Sequence, residues 1–278
     1  WVFTLIIVFF GWQIIGGFPL VGVALSYSSD MTEFINATQD NFMTLGIDKN
    51  LFLFLMILSF IFGLITLIIG VKYIHRRTLT SLVTSRKIID WKRFWFAFFA
   101  WGIIASVVTI LGIFISPEEY IWNFKPIPFF TLLAVSFLFL PLQTSFEELL
   151  FRGYLMQGLK MKIGSSKHAV ILSGIMFGLM HVGNPEIEAI GSHVLIYYVV
   201  SGVFLGALVL YDNGLELSIG YHAANNIFAA LMVSNDWQVF QTNALYINTS
   251  PPGLGWMELL ISLLFFPVLF LIYKKIFN

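Results

Sequence analysis

Two adjacent glutamates and an arginine interrupt an apolar stretch of the chain. Glu147 and Glu148 lie in the segment 141–155, and Arg152 follows four residues after Glu148. Charged side chains are costly inside a bilayer, so their presence there indicates function. The four-residue spacing places Glu148 and Arg152 on one helix face, where they can form an ion pair. Glu147 points about 100° away around the helix, lacks that partner, and is therefore the better candidate for a general base.

Two histidines on later apolar segments extend this set. His181 follows Phe177 by four residues, and Asn226 follows His222 by the same spacing. Peptide hydrolysis needs a group that deprotonates water and donors that stabilise the tetrahedral oxyanion. We assign the first task to Glu147 with His181. We assign the second task to His222 with Asn226, because an imidazole and an amide four residues apart project from one helix face.

A helical hairpin would bring Glu147 and His181 together. The two residues are equally far along the chain from Gly164, which begins a Gly-Ser-Ser turn between two apolar segments. In an antiparallel hairpin with a rise of about 1.5 Å per residue, they lie at the same depth. We therefore expect their side chains to face each other inside the bilayer.

The amino-acid composition indicates that these helices lie in a membrane. Of the 278 residues, 58% are hydrophobic and only 11% are charged, whereas about a quarter of a soluble chain is charged. Runs such as residues 51–71 are apolar on every face, which favours membrane helices over alternating barrel strands. The equal numbers of acidic and basic residues exclude a nucleic-acid footprint, and the lack of cysteine excludes disulfides, thiolate catalysis and cysteine-ligated metals.

We predict an all-α, polytopic membrane protein with about eight transmembrane helices. They lie near residues 1–27, 51–73, 94–115, 127–160, 167–182, 190–210, 215–234 and 255–274. Basic residues follow the second, fourth and last of these helices, while acidic residues occupy the opposite connections. The positive-inside rule then places both termini in the cytoplasm. The Phe-rich spans favour a bacterial cytoplasmic membrane.

Four glycines indicate where helices pack closely. Gly174 and Gly178 are four residues apart, and so are Gly202 and Gly206. Small residues at this spacing let two membrane helices approach each other. We expect the helices that carry them to be neighbours.

Taken in order, the three motifs resemble the CPBP family of intramembrane peptidases. These are the CAAX proteases and bacteriocin-processing enzymes, also called the Abi family, and they include the Rce1-type CAAX prenyl endopeptidase. The motifs are Glu-Glu-x-x-x-Arg from Glu147, Phe-x-x-x-His from Phe177, and His-x-x-x-Asn from His222. Each motif alone is weak, but the three in this order are specific, and together they cover about residues 140–230.

The resemblance implies an intramembrane endopeptidase that hydrolyses a membrane-associated peptide or protein. It implies catalytic roles for Glu147, Glu148, His181, His222 and Asn226, with Arg152 and Phe177 in support. It also divides the chain into N-terminal transmembrane helices with a basic loop (1–126), a CPBP-like catalytic core (127–234), and an outer loop with the last helix (235–278).

The family has been described both as metalloproteases and as glutamate-dependent peptidases. A divalent metal such as zinc would take Glu147, His181 and His222 as ligands. The sequence has no His-Glu-x-x-His helix, and a Glu–His pair that activates water accounts for the same residues. We expect no required cofactor, and the lipid bilayer and a membrane-associated peptide or protein as partners.

Two other classes of protein share these features. A catalytically silent CPBP-like scaffold would keep the motifs for architecture and bind a membrane protein partner. A proton-coupled transporter would use Glu147 and His181 as a proton relay. Transporters are often built from paired halves with broken helices, and this sequence shows no internal repeat, which makes the transporter the less favoured of the two.

Overall fold

The computed structural model describes residues 1–277, and helices dominate it, which confirms the predicted fold class. In chain order the helices are α1 (Val2–Tyr27), α2 (Met31–Ala37), α3 (Lys49–Ile74), α4 (Thr80–Val83), α5 (Trp91–Ile115), α6 (Pro126–Ile163), α7 (Ser166–Leu179), α8 (Pro185–Ile190), α9 (Val194–Asp212), α10 (Glu216–Met232) and α11 (Trp256–Ile276). The long helices α1, α3 and α6 each contain a π-helical turn, at Phe10–Ile15, Gly70–Ile74 and Leu149–Leu155.

Within the described residues, six helices are long and apolar enough to cross a membrane, namely α1, α3, α5, α6, α9 and α11. Helices α7 and α10 correspond to the remaining two predicted spans but have 14 and 17 residues. A 14-residue helix is about 21 Å long, shorter than the roughly 30 Å hydrocarbon core of a bilayer. The count of eight spans and the side of the termini stay predictions.

The predicted turn between α6 and α7 is present. Gly164 ends α6 with a φ of 75°, a left-handed conformation that glycine adopts without steric cost. Ser165 then caps α7, and its Oγ accepts a hydrogen bond from the backbone N–H of His168. The chain reverses here, so α6 and α7 form the expected hairpin.

Helices α7 and α9 pack closely at their glycines. A Cβ atom added at Gly174 would lie 2.7 Å from the backbone nitrogen of Val203, and one added at Gly202 would lie 2.9 Å from the Cα of Gly174. No side chain fits in such a gap, so the glycines permit the approach. The close packing predicted from their spacing is confirmed.

A three-stranded sheet joins the ends of three helices. Strand β1 (Tyr120–Trp122) follows α5, β2 (Val233–Ser234) follows α10, and β3 (Tyr246–Asn248) precedes α11. Strand β3 lies in the middle, antiparallel to β1 and parallel to β2. Part of the predicted outer loop is therefore ordered by backbone hydrogen bonds.

Two half-buried arginines, Arg86 before α5 and Arg93 in its first turn, form an ion-pair cluster with buried carboxylates. Arg86 pairs with Asp212 at 3.0 Å and with Glu216 at 3.2 Å, and Arg93 pairs with Asp212 and with Asp90. Asp212 and Glu216 lie at the facing ends of α9 and α10 and are almost fully buried. These arginines attach the segment before α5 to the two helices that surround the site.

Candidate active site

A fully buried ion pair lies at the centre of the predicted site. Arg152 Nη1 donates a hydrogen bond to Glu148 Oε1 at 2.8 Å, as their spacing predicts, and both side chains are 0% exposed. Arg152 Nη2 donates to the carbonyl oxygen of Gly202 at 3.1 Å. The guanidinium group also lies 4.3 Å from the ring centroid of Phe177. Phe177 therefore contributes a cation–π contact that helps fix the arginine.

His222 connects this ion pair to the second glutamate. Its Nδ1 lies 2.9 Å from Glu148 Oε1, and its Nε2 lies 3.5 Å from Glu147 Oε2. Glu148 is paired with Arg152 and acts as an acceptor, so we assign the Nδ1 proton of His222 as the donor. The other ring nitrogen then faces Glu147 across a gap slightly too long for a direct hydrogen bond.

Glu147 lies in the wall of a cavity between the helices. The cavity has a volume of about 360 Å³ and is lined by Glu147, His181, His222 and Asn226 among others. The Glu147 side chain is nearly buried, and its Oε1 accepts a 3.4 Å hydrogen bond from Gln143 Nε2. Glu147 and Glu148 are thus separated as the helix geometry predicts, one facing the cavity and the other facing Arg152.

His181 lies in the same cavity but does not pair with Glu147. Helix α7 ends at Leu179, and His181 belongs to the turn that follows. Its Nδ1 lies 2.9 Å from the carbonyl oxygen of Phe177, and its ring stacks on Tyr198 at 4.1 Å between centroids. A carbonyl can only accept, so Nδ1 carries the proton and Nε2 keeps a lone pair. Both Glu147 and His181 line the cavity, and His222 is the imidazole that lies next to Glu147.

Asn226 presents amide donors to the cavity. It lies one helical turn after His222 on α10 and is 9% exposed. Its Oδ1 accepts a hydrogen bond from Asn225 Nδ2 at 3.2 Å, and Asn225 Oδ1 in turn accepts from the indole of Trp101. These contacts fix the orientation of the Asn226 amide, so its Nδ2 group is the end that is left to donate.

Glu186 and Tyr198 also line the cavity, and the sequence analysis does not single them out. Glu186 belongs to one of the acidic connections that the charge pattern predicts to lie outside the membrane, but it is only 6% exposed and lines the cavity. Its carboxylate accepts hydrogen bonds from the Tyr198 hydroxyl, from Asn184 Nδ2 at 2.9 Å and from the Val239 backbone N–H at 3.1 Å. A tyrosine within the apolar helix α9 was the only signal in the sequence, and it is a weak one.

In the part of the chain that the structure describes, the predicted ligands Glu147, His181 and His222 do not form a metal centre. No group of three or more His, Asp or Glu side chains is arranged to hold a metal ion. His222 Nδ1 is engaged by Glu148, and His181 Nδ1 by a backbone carbonyl. Of the predicted ligands only Glu147 Oε2 and His222 Nε2 face each other. The three predicted ligands are therefore not arranged around one metal position.

A helical membrane protein with a buried Glu/His/Asn cavity is the class that this fold and site define. Residues 126–228 match the family model described as type II CAAX prenyl endopeptidase Rce1-like. This region of the chain is therefore similar to the Rce1-like family, and the CPBP resemblance predicted from the motifs is confirmed. The Rce1-like family is made up of proteases, which supports a peptidase at the family level.

The alignment with a curated relative is longer than the region that matches the family model. The chain is 28% identical over 189 residues to YyaK of Bacillus subtilis (strain 168), a protein described as uncharacterized. The alignment covers 68% of this chain and 63% of that relative. No solved structure matches the chain.

Proposed function

We propose that the protein is an intramembrane endopeptidase of a bacterial cytoplasmic membrane, acting on a membrane-associated peptide or protein. One observation carries the proposal. Glu147 and His222 lie side by side in the wall of a cavity, and Glu148, itself paired with Arg152, fixes the imidazole from its other ring nitrogen. A carboxylate beside an oriented imidazole is the arrangement that general acid–base hydrolysis requires.

In the proposed reaction, Glu147 takes a proton from a water molecule as the water oxygen attacks the scissile carbonyl carbon. The new C–O bond forms while the carbonyl π electrons move to oxygen, which gives a tetrahedral oxyanion. Asn226 Nδ2 donates to this oxyanion, and His222 joins it when Nε2 is protonated. The C–N bond then breaks, and Glu147 returns its proton to the leaving amine.

His181 has a supporting task in this proposal. Its Nε2 lone pair faces the cavity, since Nδ1 is held by the Phe177 carbonyl. The imidazole can accept a hydrogen bond from the attacking water and so orient it towards the carbonyl. No metal takes part, so we expect the reaction to proceed in the presence of a chelator.

The test uses purified protein in vesicles of phosphatidylethanolamine and phosphatidylglycerol with a pool of acyl-tethered peptides. Products are identified by mass spectrometry. Glu147→Gln keeps the shape of the side chain but removes the base, so we expect cleavage to fall by about 10²-fold or more. Glu118→Gln is the matched control, because Glu118 is exposed and lies outside the cavity.

Equal turnover by wild type and Glu147→Gln would refute the mechanism. If the wild-type protein cleaves no peptide of the pool, the catalytically silent scaffold becomes the better reading of the same motifs. Thermal unfolding of both variants in detergent checks that a loss of turnover does not come from misfolding.

A further inference from the structure

We infer that this cavity selects a peptide segment that carries a lysine or arginine side chain, and that Glu186 receives the cationic group. The inference rests on the proposed endopeptidase function and adds a substrate class to it. Two acidic side chains line the cavity, and Gln143 in its wall has an acceptor without a hydrogen-bond partner.

The charged side chains of the lining are both acidic. Glu147 and Glu186 line the cavity, and no lysine or arginine of the described residues does so. Arg152 lies outside the lining, is paired with Glu148 and forms no ion pair with Glu186. A buried carboxylate without a cationic partner is costly, so a cation entering the cavity is favoured.

Glu186 has room for one more donor. An ionised carboxylate has about four lone-pair sites. Oε1 accepts from Tyr198 and Asn184, and Oε2 accepts from the Val239 backbone N–H. All three donors are neutral, and none of the described basic residues lies within ion-pair distance of Glu186. The remaining lone pair on Oε2 and the uncompensated charge fit an ammonium or guanidinium group.

A second acceptor points to a ligand that brings N–H groups. Gln143 lines the cavity and is 9% exposed, and its Oε1 is buried without a hydrogen-bond partner. The orientation of the amide follows from the bond that Nε2 donates to Glu147. A buried acceptor left unpaired costs roughly 1–3 kcal/mol. The Oε1 atom is closed to solvent in this structure, so a peptide N–H beside the scissile bond would reach it once the Gln143 side chain turns towards the cavity.

The rest of the wall suits the same ligand. Aromatic rings of Phe177, Tyr197, Tyr198, Trp237 and Phe240 line the cavity. Rings attract cations through their faces and pack against the aliphatic stems of lysine and arginine. A substrate whose reacting end carries a free carboxylate would find two negative charges and no basic side chain here.

Binding and cleavage are measured separately. A short acyl-tethered peptide without charged residues is made in three forms that carry one Lys, Gln or Glu, with this residue moved stepwise along the peptide. Binding is measured on the Glu147→Gln protein in vesicles, and cleavage is measured on the protein with Glu147 intact. Each measurement is repeated with Glu186→Gln and with Glu188→Gln, an exposed acid on the same short helix.

We expect the Lys form to bind about tenfold or more tightly than the Gln form at its best position, and the Glu form to bind most weakly. Glu186→Gln should remove this discrimination, while Glu188→Gln should retain it. Equal binding of the three forms, or discrimination that survives Glu186→Gln, overturns the inference whether or not any peptide is cleaved. Selective binding without cleavage supports the inference and counts against the proposed endopeptidase.

Discussion

Arg152 holds the Glu148 carboxylate and the Gly202 carbonyl at once, although no part of its side chain reaches the surface. Removing two charges from water costs several kcal/mol per ion, and their mutual attraction often only offsets this. The pair therefore serves mainly to orient the groups around it, above all the His222 imidazole. Glu148 receives His222 on the same oxygen that receives Arg152, so the imidazole is fixed in direction and tautomer.

Replacing one partner of this pair should be worse than replacing both. Arg152→Met leaves the Glu148 charge buried and uncompensated, and we expect a loss of about 3–5 kcal/mol in unfolding free energy. The double variant Arg152→Met/Glu148→Gln should recover part of this loss but remain inactive. Thermal unfolding in detergent compares them, and a double variant less stable than either single one contradicts the orientation argument.

Residue spacing predicted some contacts of the site and not others. The Glu148–Arg152 pair follows from a local rule, since residues four apart on a helix are neighbours. The contact between His222 and Glu147 joins α10 to α6 across 75 residues of chain, and no local rule selects it over His181. Glu186 was missed for the same reason, because its partner Val239 is remote in sequence and its neighbours Gly183 and Pro185 are typical of a loop.

At the scale of elements, the contact between α7 and α9 decides where the Phe177 ring lies. Gly174 lies one turn before Phe177, and Gly202 provides the carbonyl that Arg152 contacts. A Cβ added at Gly202 would lie 3.1 Å from the Phe177 ring, so the backbone of α9 is almost in contact with it. The separation of these two helices therefore also sets the position of the cation–π contact.

Gly174→Ala should force the two helices apart. The added methyl group meets the backbone of Val203, which cannot rotate away, and overpacking of this kind costs about 1–3 kcal/mol. Gly22→Ala is the matched control, because a Cβ there meets nothing within 4 Å. Unfolding temperatures in detergent should fall for Gly174→Ala and stay level or rise for Gly22→Ala. A lower unfolding temperature for Gly22→Ala than for Gly174→Ala would contradict close packing at Gly174.

Hydropathy predicted where the helices lie better than it predicted where they end. Long apolar runs located every helix from α5 to α11 except the short α8, since a membrane helix must be apolar over its length. The end of α7 was less predictable. The sequence predicts helix to residue 182, yet the chain turns after Leu179, and His181 lies in that turn. The small sheet was not predicted, because two- and three-residue strands leave no periodic signal.

At the scale of the whole molecule, the segment before α5 is attached to the Rce1-like region by charge. Arg86 lies outside residues 126–228 but contacts Asp212 and Glu216 within them. Glu216 begins the helix that carries His222 less than two turns later. The N-terminal part of the chain therefore takes part in holding the site.

Arg86→Gln should loosen this attachment. Two nearly buried carboxylates lose a charged partner, for which we expect a cost of about 1–3 kcal/mol. Lys87→Gln is the control, because Lys87 is exposed and forms no ion pair in the described structure. Limited trypsin digestion in vesicles should cut the segment 76–93 faster in Arg86→Gln than in Lys87→Gln. Equal digestion would show that the ion pairs do not anchor the segment.

The small sheet bears on how the helices can move. Strand β3 bonds to β1 after α5 and to β2 after α10, so the ladder fastens these helix ends to each other and to the approach to α11. A carrier that exposed its interior first to one side of the membrane and then to the other would have to separate these ends in every cycle. Each separation would break the backbone hydrogen bonds of this ladder. A bundle whose helix ends are joined in this way favours a site of fixed geometry over a carrier that alternates between two open forms.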